Sequence, residues 1–198
     1  MLLPTSRLLR PVNYLKIKGG GLSVFNWWYP FLFSMLTLLY VYFYPINLEL
    51  TGANSSIIGK TLTLLNILPG FYIAALAAVS TFNRSAMDRP LDGTPVTLYA
   101  SENGETRERG LTRRRFLCYL FGYLSFLSLA LFIFGTIINT ASPSEFLSGE
   151  LSKYKGHAAL ALFYIYLFFF YQMIIITLFG LFYLSDRIHW KEKEKRIE

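Results

Sequence analysis

Long apolar stretches separated by polar connections dominate the pattern of this chain. Asp, Glu, Lys and Arg are absent from four stretches, which run from 19 to 48, 61 to 83, 116 to 144 and 156 to 185. A helix that crosses the hydrocarbon core of a bilayer needs about 20 apolar residues, and each stretch is long enough. The pattern therefore predicts an all-α integral membrane protein with four transmembrane helices.

Aromatic residues, prolines and the ends of the charge-free stretches set the expected boundaries. The predicted spans are 24–44, 58–82, 116–138 and 158–184. The other segments are an N-terminal arm able to lie in the membrane interface (1–23), two outer loops (45–57 and 139–157), a long connection between spans two and three (83–115) and a tail (185–198). Within span two, Pro69-Gly70 predicts a kink.

The basic residues predict the orientation of the chain in the membrane. All but Lys60, Lys153 and Lys155 of the 19 Lys and Arg fall in the arm, the long connection or the tail. Because connections rich in Lys and Arg stay in the cytoplasm, both termini and the 83–115 connection are expected there (N-in, C-in). This topology and attraction to anionic membrane lipids account for the formal net charge of +7. No direct contact with nucleic acid is expected.

The 83–115 connection is too long for a simple link in a compact bundle. Residues 96–99 favour a strand, and Asn103-Gly104 is a strong signal for a two-residue hairpin turn. A small cytoplasmic β-hairpin is therefore predicted between helices 2 and 3, followed by Thr112 as the N-cap of the third span. Five arginines in or after this hairpin are the candidate partner-binding residues: Arg107, Arg109, Arg113, Arg114 and Arg115.

Two stripes of small residues predict close packing between helices in lipid. The stripes are Gly70, Ala74 and Ala78 in span two, and Cys118, Gly122 and Ser125 in span three. We expect them to face each other or a neighbouring subunit, in a cyclic homo-oligomer. Two polar amides, Asn66 and Gln172, also lie within predicted spans. They either hold helices together by hydrogen bonds or line a narrow pore.

Catalytic chemistry is not indicated by any motif of the chain. Its two histidines, His157 and His189, are predicted on opposite sides of the membrane and cannot share a metal or a catalytic triad. Cys118 is the single cysteine and is read as a small packing residue, so an intrachain disulfide is impossible. The expectation is a non-enzymatic protein without a cofactor or a metal.

Residues 80–95, which include Met87-Asp88-Arg89-Pro90, and residues 111–125 resemble the KwaA family. These are the membrane subunits of the Kiwa anti-phage defence system; a retron-associated membrane effector is the second candidate. The resemblance implies a bacterial inner-membrane oligomer, with a tetramer favoured, that holds the soluble DNA-binding Kiwa subunit against the membrane. The expected function is therefore a membrane sensor or scaffold of phage defence. The alternative is an oligomeric pore-forming effector that depolarises the inner membrane.

Overall fold

The computed structural model describes residues 9–19, 21–43, 57–81, 97–102, 105–140 and 155–187. Within these residues, four helices are long and apolar enough to cross a membrane: Val24–Val41, Ile57–Thr81, Arg113–Thr140 and Leu160–Ser185. The prediction of four helices that are long and apolar enough to cross a membrane is confirmed. The predicted loops at 45–57 and 139–157 and the tail at 185–198 lie largely outside the described residues.

The first span follows a short N-terminal 3₁₀ helix, Arg10–Lys16. A turn joins the two, and Gly19 and Gly21 have φ angles of 119° and 72° there. Residues other than glycine rarely adopt such φ angles. The span itself opens with one π-helical turn, Val24–Trp28, and continues as α1, Tyr29–Phe43.

The second span is broken near its centre, as Pro69-Gly70 predicts. It consists of α2, Ile57–Leu65, and α3, Leu68–Thr81. Proline has no N–H with which to bond the carbonyl four residues earlier. The two helices are therefore joined by a tighter turn, in which the Ile67 N–H donates to the carbonyl of Leu64, three residues earlier, at 3.1 Å.

Two antiparallel strands, β1 (Thr97–Glu102) and β2 (Glu105–Gly110), lie between the second and third spans, with Thr97 paired to Gly110 and Glu102 to Glu105. The third span is α4, Arg113–Thr140, which begins directly after the predicted cap residue Thr112 and three residues before the expected membrane boundary at 116. The Thr112 hydroxyl accepts a hydrogen bond from the Arg115 N–H at 3.4 Å, which confirms the predicted N-cap. The cap, rather than the last charge, decides where this helix begins.

The fourth span is α5, Lys155–Phe182, extended by a π-helical turn, Tyr183–Arg187. Span three packs against both halves of span two, against span four and against the N-terminal 3₁₀ helix, whereas span one packs on span four. Neighbouring spans run antiparallel. In consequence, Tyr14 near the start of the described chain and Tyr183 near its end both contact the ring of Phe116, with centroid distances of 6.3 and 5.7 Å.

Spans two, three and four lie close together around Gly135 in α4. A Cβ atom at this position would lie 2.9 Å from Tyr166 Cε2 and 3.0 Å from Leu62 Cδ2. Tyr166 is fully buried, and its hydroxyl lies 2.7 Å from the Thr61 hydroxyl. The ring therefore has little room to move, and a residue without a side chain is required at position 135.

Candidate functional site

A buried polar network joins four segments of the chain around Gln172, which is 0% exposed. The Tyr123 hydroxyl donates to Gln172 Oε1 at 2.7 Å, and Gln172 Nε2 donates to the Asn26 carbonyl at 2.7 Å. The Tyr14 hydroxyl donates to Asn26 Oδ1 at 3.2 Å. We call these four residues the Gln172 network. It connects the N-terminal 3₁₀ helix with spans one, three and four.

The sequence of the first span explains why Gln172 finds an acceptor there. In a regular helix, the Asn26 carbonyl would accept from the N–H four residues later, but that residue is Pro30. Gln172 Nε2 supplies the missing donor. In the π-helical turn around Asn26, the Tyr29 N–H bonds the Val24 carbonyl instead. Such turns are frequent at functional sites.

Tyr14 fastens the N-terminal 3₁₀ helix to the bundle. Its ring is 1% exposed and stacks on Tyr123, with centroids 5.2 Å apart and an interplanar angle of 22°. Burial raises the pKa of the Tyr14 phenol well above its usual value, so the hydroxyl keeps its proton and acts as a donor to Asn26. The predicted arm at 1–23 therefore includes a segment that packs against α4 through Tyr14.

Replacing Tyr14 by phenylalanine removes the hydrogen bond to Asn26 and keeps the stacked ring. We expect the free energy of unfolding to fall by about 1 kcal/mol, the usual net value of such a bond, in a denaturant titration of the detergent-solubilised protein. Tyr29→Phe is the matched control, because its phenol is 41% exposed. Equal effects of the two substitutions would contradict a specific role for the Tyr14 hydroxyl.

Three tyrosine–threonine pairs link span four to the first two spans. The hydroxyls are 2.6–2.7 Å apart in the pairs Thr37–Tyr171, Thr61–Tyr166 and Tyr72–Thr177. Each threonine also donates its single proton to a carbonyl of its own helix, at 2.7–3.0 Å. Since a hydroxyl has one proton, the tyrosine is the donor in every pair. Span four is thus hydrogen-bonded to spans one, two and three.

No family model, curated protein or solved structure matches this chain. Among the described residues, no group of three or more His, Cys, Asp or Glu side chains could hold a metal ion.

The five candidate arginines fall into different environments. Arg107 and Arg109 lie in β2, opposite Ala100 and Leu98. The other three occupy the first turn of α4. Arg113 is 4% exposed there, and Arg114 Nη1 donates to the Ser80 carbonyl at 3.4 Å, which ties span three to the end of span two. The third, Arg115, is exposed. Of the three arginines in this turn, Arg115 is therefore the one available to a partner.

The two stripes of small residues do not face each other along their full length. Span two turns Tyr72 and Val79 inward, and Gly70, Ala74 and Ala78 are exposed on the outside of the protomer. In span three, Ser125 is buried, while Cys118 and Gly122 are half-buried. A Cβ atom added at Gly70 or Gly122 would meet no atom within 4 Å.

The two amides also differ in environment. Asn66 is exposed at the break between α2 and α3, whereas Gln172 is enclosed in its network. Of the four members of that network, sequence reasoning identified only Gln172. Two signals in the sequence could have revealed the bond between Gln172 and Asn26. Pro30 removes the usual donor to the Asn26 carbonyl, and Gln172 is the single strongly polar side chain in span four.

Proposed function

We propose that this protein is a non-enzymatic sensor or scaffold in the inner membrane of a bacterium, which recruits a soluble cytoplasmic partner. The observation that carries this proposal is the convergence at one end of the bundle. Near Phe116, the N-terminal 3₁₀ helix, the start of α4 and the end of α5 meet. The segments rich in Lys and Arg all adjoin this end, and the positive-inside rule assigns it to the cytoplasm.

The docking surface in this proposal consists of β1, β2 and the exposed Arg115. Strand β2 leads through Leu111 and the Thr112 cap directly into α4, so a partner bound to the strand pair would be held close to the membrane. Arg107 and Arg109 contribute positive charge within β2. An acidic surface on the partner would complement these charges.

The partner's identity and the subunit number rest on the resemblance to the KwaA family. Under that reading, the partner is the DNA-binding Kiwa subunit, and the membrane protein is a homo-oligomer, with a tetramer favoured. The exposed stripe at Gly70, Ala74 and Ala78 supports assembly, because small residues permit close approach of helices in lipid. The defence role would then be a response to phage at the cell envelope.

A second candidate is a pore-forming effector. The observation in its favour is the exposed Asn66, a polar side chain within span two. Gln172 does not support a pore through a single protomer, since its side chain is fully buried and hydrogen-bonded. A conducting path would have to form between subunits.

Reversing Arg107, Arg109 and Arg115 to glutamate tests the scaffold. We expect the variant to insert normally and to lose at least nine-tenths of its cytoplasmic partner when purified from solubilised membranes and analysed by mass spectrometry. Arg113 and Arg114 are left unchanged, because both contribute to the packing of α4. Lys60→Glu is the control, since Lys60 is exposed at the opposite end of the bundle.

Retention of every partner by the reversed variant would contradict the proposed docking surface. A potential-sensitive dye followed during phage infection separates the two candidate functions. Defence with an intact membrane potential excludes the pore, and depolarisation that depends on Asn66 would favour it.

A further inference from the structure

A long apolar groove runs along the outside of spans three and four. Phe126, Ala130 and Ile133 of α4 form one wall, and Ile165 and Phe169 of α5 form the other. The volume of the groove is about 600 Å³. Both walls belong to helices that are apolar and long enough to cross a membrane, so the groove opens toward lipid.

The N-terminal 3₁₀ helix closes one end of this groove with Val12 and Leu15. In a 3₁₀ helix, residues three apart share a side. Arg10 and Lys16, six residues apart, therefore share one side of this helix, next to the side that carries Val12 and Leu15, and both are exposed. Two positive charges thus lie beside the closed end of the groove.

Ring contacts place the closed end of the groove within the bundle. Tyr14, in the same 3₁₀ helix as Val12 and Leu15, contacts both Tyr123, which lines the groove, and Phe116, with centroid distances of 5.2 and 6.3 Å. Phe116 follows directly after the three arginines of the first turn of α4. The closed end of the groove therefore lies toward the end of the bundle that carries these arginines.

The dimensions of the groove fit a single hydrocarbon chain. From Tyr123 to Ile137, the last residue of α4 in its lining, a helix rises about 21 Å. Spread over that length, a volume of about 600 Å³ gives a cross-section of about 30 Å². A helix about 10 Å across needs about 80 Å², so the groove cannot enclose one.

We propose that this groove holds an acyl chain of an anionic phospholipid, whose headgroup lies against Arg10 and Lys16. The apolar walls bury the chain, and the two basic side chains complement the negative charge of the headgroup. The bound lipid bridges the N-terminal 3₁₀ helix and span three, so it also holds that helix in place. This inference is independent of the partner-binding function proposed above.

Native mass spectrometry of the detergent-purified protein tests the site, with phosphatidylglycerol and phosphatidylcholine of identical chains as probes. We expect one phosphatidylglycerol per protomer to be retained in preference to phosphatidylcholine. Ala130→Trp or Ile133→Trp should fill the groove and abolish this retention. Leu36→Trp is the control, because Leu36 is an exposed residue of span one. Thermal unfolding identifies which variants are folded.

The charges are tested separately. Arg10→Ala and Lys16→Ala should each weaken phosphatidylglycerol binding about fivefold, since one basic residue near an anionic surface contributes about 1 kcal/mol. Lys60→Ala, at the opposite end of the bundle, should have no effect.

Two results would overturn the proposal. One is equal retention of the two lipids by the protein. The other is undiminished phosphatidylglycerol binding by both folded tryptophan variants. A variant that lacks residues 1–8 completes the series. If phosphatidylglycerol binds only after this deletion, the chain's own N-terminal residues fill the groove, and the proposal is wrong.

Discussion

Replacing Gln172 by leucine should lower the free energy of unfolding by about 2–4 kcal/mol. The substitution leaves two buried groups without their partner, the Tyr123 hydroxyl and the Asn26 carbonyl. An unsatisfied buried polar group costs about 1–3 kcal/mol, and interhelical hydrogen bonds in membranes contribute about 0.6–2 kcal/mol each. The Asn26 carbonyl cannot accept from the residue four positions later, because Pro30 lacks an N–H. Denaturant titration in mixed micelles measures the change.

Tyr123→Phe is the graded control for this prediction. It removes one of the two bonds to Gln172 and should have about half the effect. The same variants also bear on the pore hypothesis. If Gln172→Leu abolishes membrane depolarisation and leaves the unfolding free energy unchanged, Gln172 lines a conducting path and its role in packing is refuted.

Gly135→Val should destabilise the protein by about 2–4 kcal/mol. The new side chain would meet Tyr166 and Leu62 at 2.9–3.0 Å, and overpacking of this kind costs about 1–3 kcal/mol. To make room, the Tyr166 ring must also give up its hydrogen bond to Thr61, which adds about 1 kcal/mol. Thermal or denaturant unfolding of the purified protein measures the loss.

Gly122→Val provides a matched control in the same helix. A Cβ atom at Gly122 meets no atom within 4 Å, so the stability of the protomer should change by less than about 1 kcal/mol. If Gly122 instead lies in an interface between subunits, this variant dissociates the oligomer without unfolding the protomer, which native mass spectrometry detects. Equal destabilisation by the two substitutions would contradict the close approach at Gly135.

Hydrophobic patterning was sufficient to locate the four spans, because the length of an apolar stretch is a local property of the chain. The break in span two was predictable for the same reason, since the missing N–H belongs to Pro69 itself. The start of α4 was predictable as well, because the cap residue Thr112 lies directly before the three arginines of its first turn. Hydrogen bonding at Thr112 extends the helix to Arg113, which then becomes buried.

The candidate site was less predictable, because it depends on which helices become neighbours. Gln172 was recognisable as a polar side chain in an apolar span, but its partners come from segments up to 146 residues away. Tyr14 and Tyr123 are amphipathic, so their sequence context does not separate a lipid-facing ring from a buried donor. The outward position of Gly70, Ala74 and Ala78 follows from the face of span two that carries Tyr72 and Val79.

The hydrogen bonds made by span four have a consequence for how the protein folds during its synthesis. Thr37, Thr61 and Tyr72 enter the membrane before their partners in α5 have been synthesised. The Asn26 carbonyl likewise enters before Gln172, the side chain that donates to it. Domains generally fold from the N-terminus as the chain emerges. Spans two and three can pack against each other before the fourth is inserted, whereas span one packs on span four and must wait for it. A ribosome that stalls before residue 155 would therefore leave span one without its main neighbour in the bundle and leave these buried polar groups without their partners.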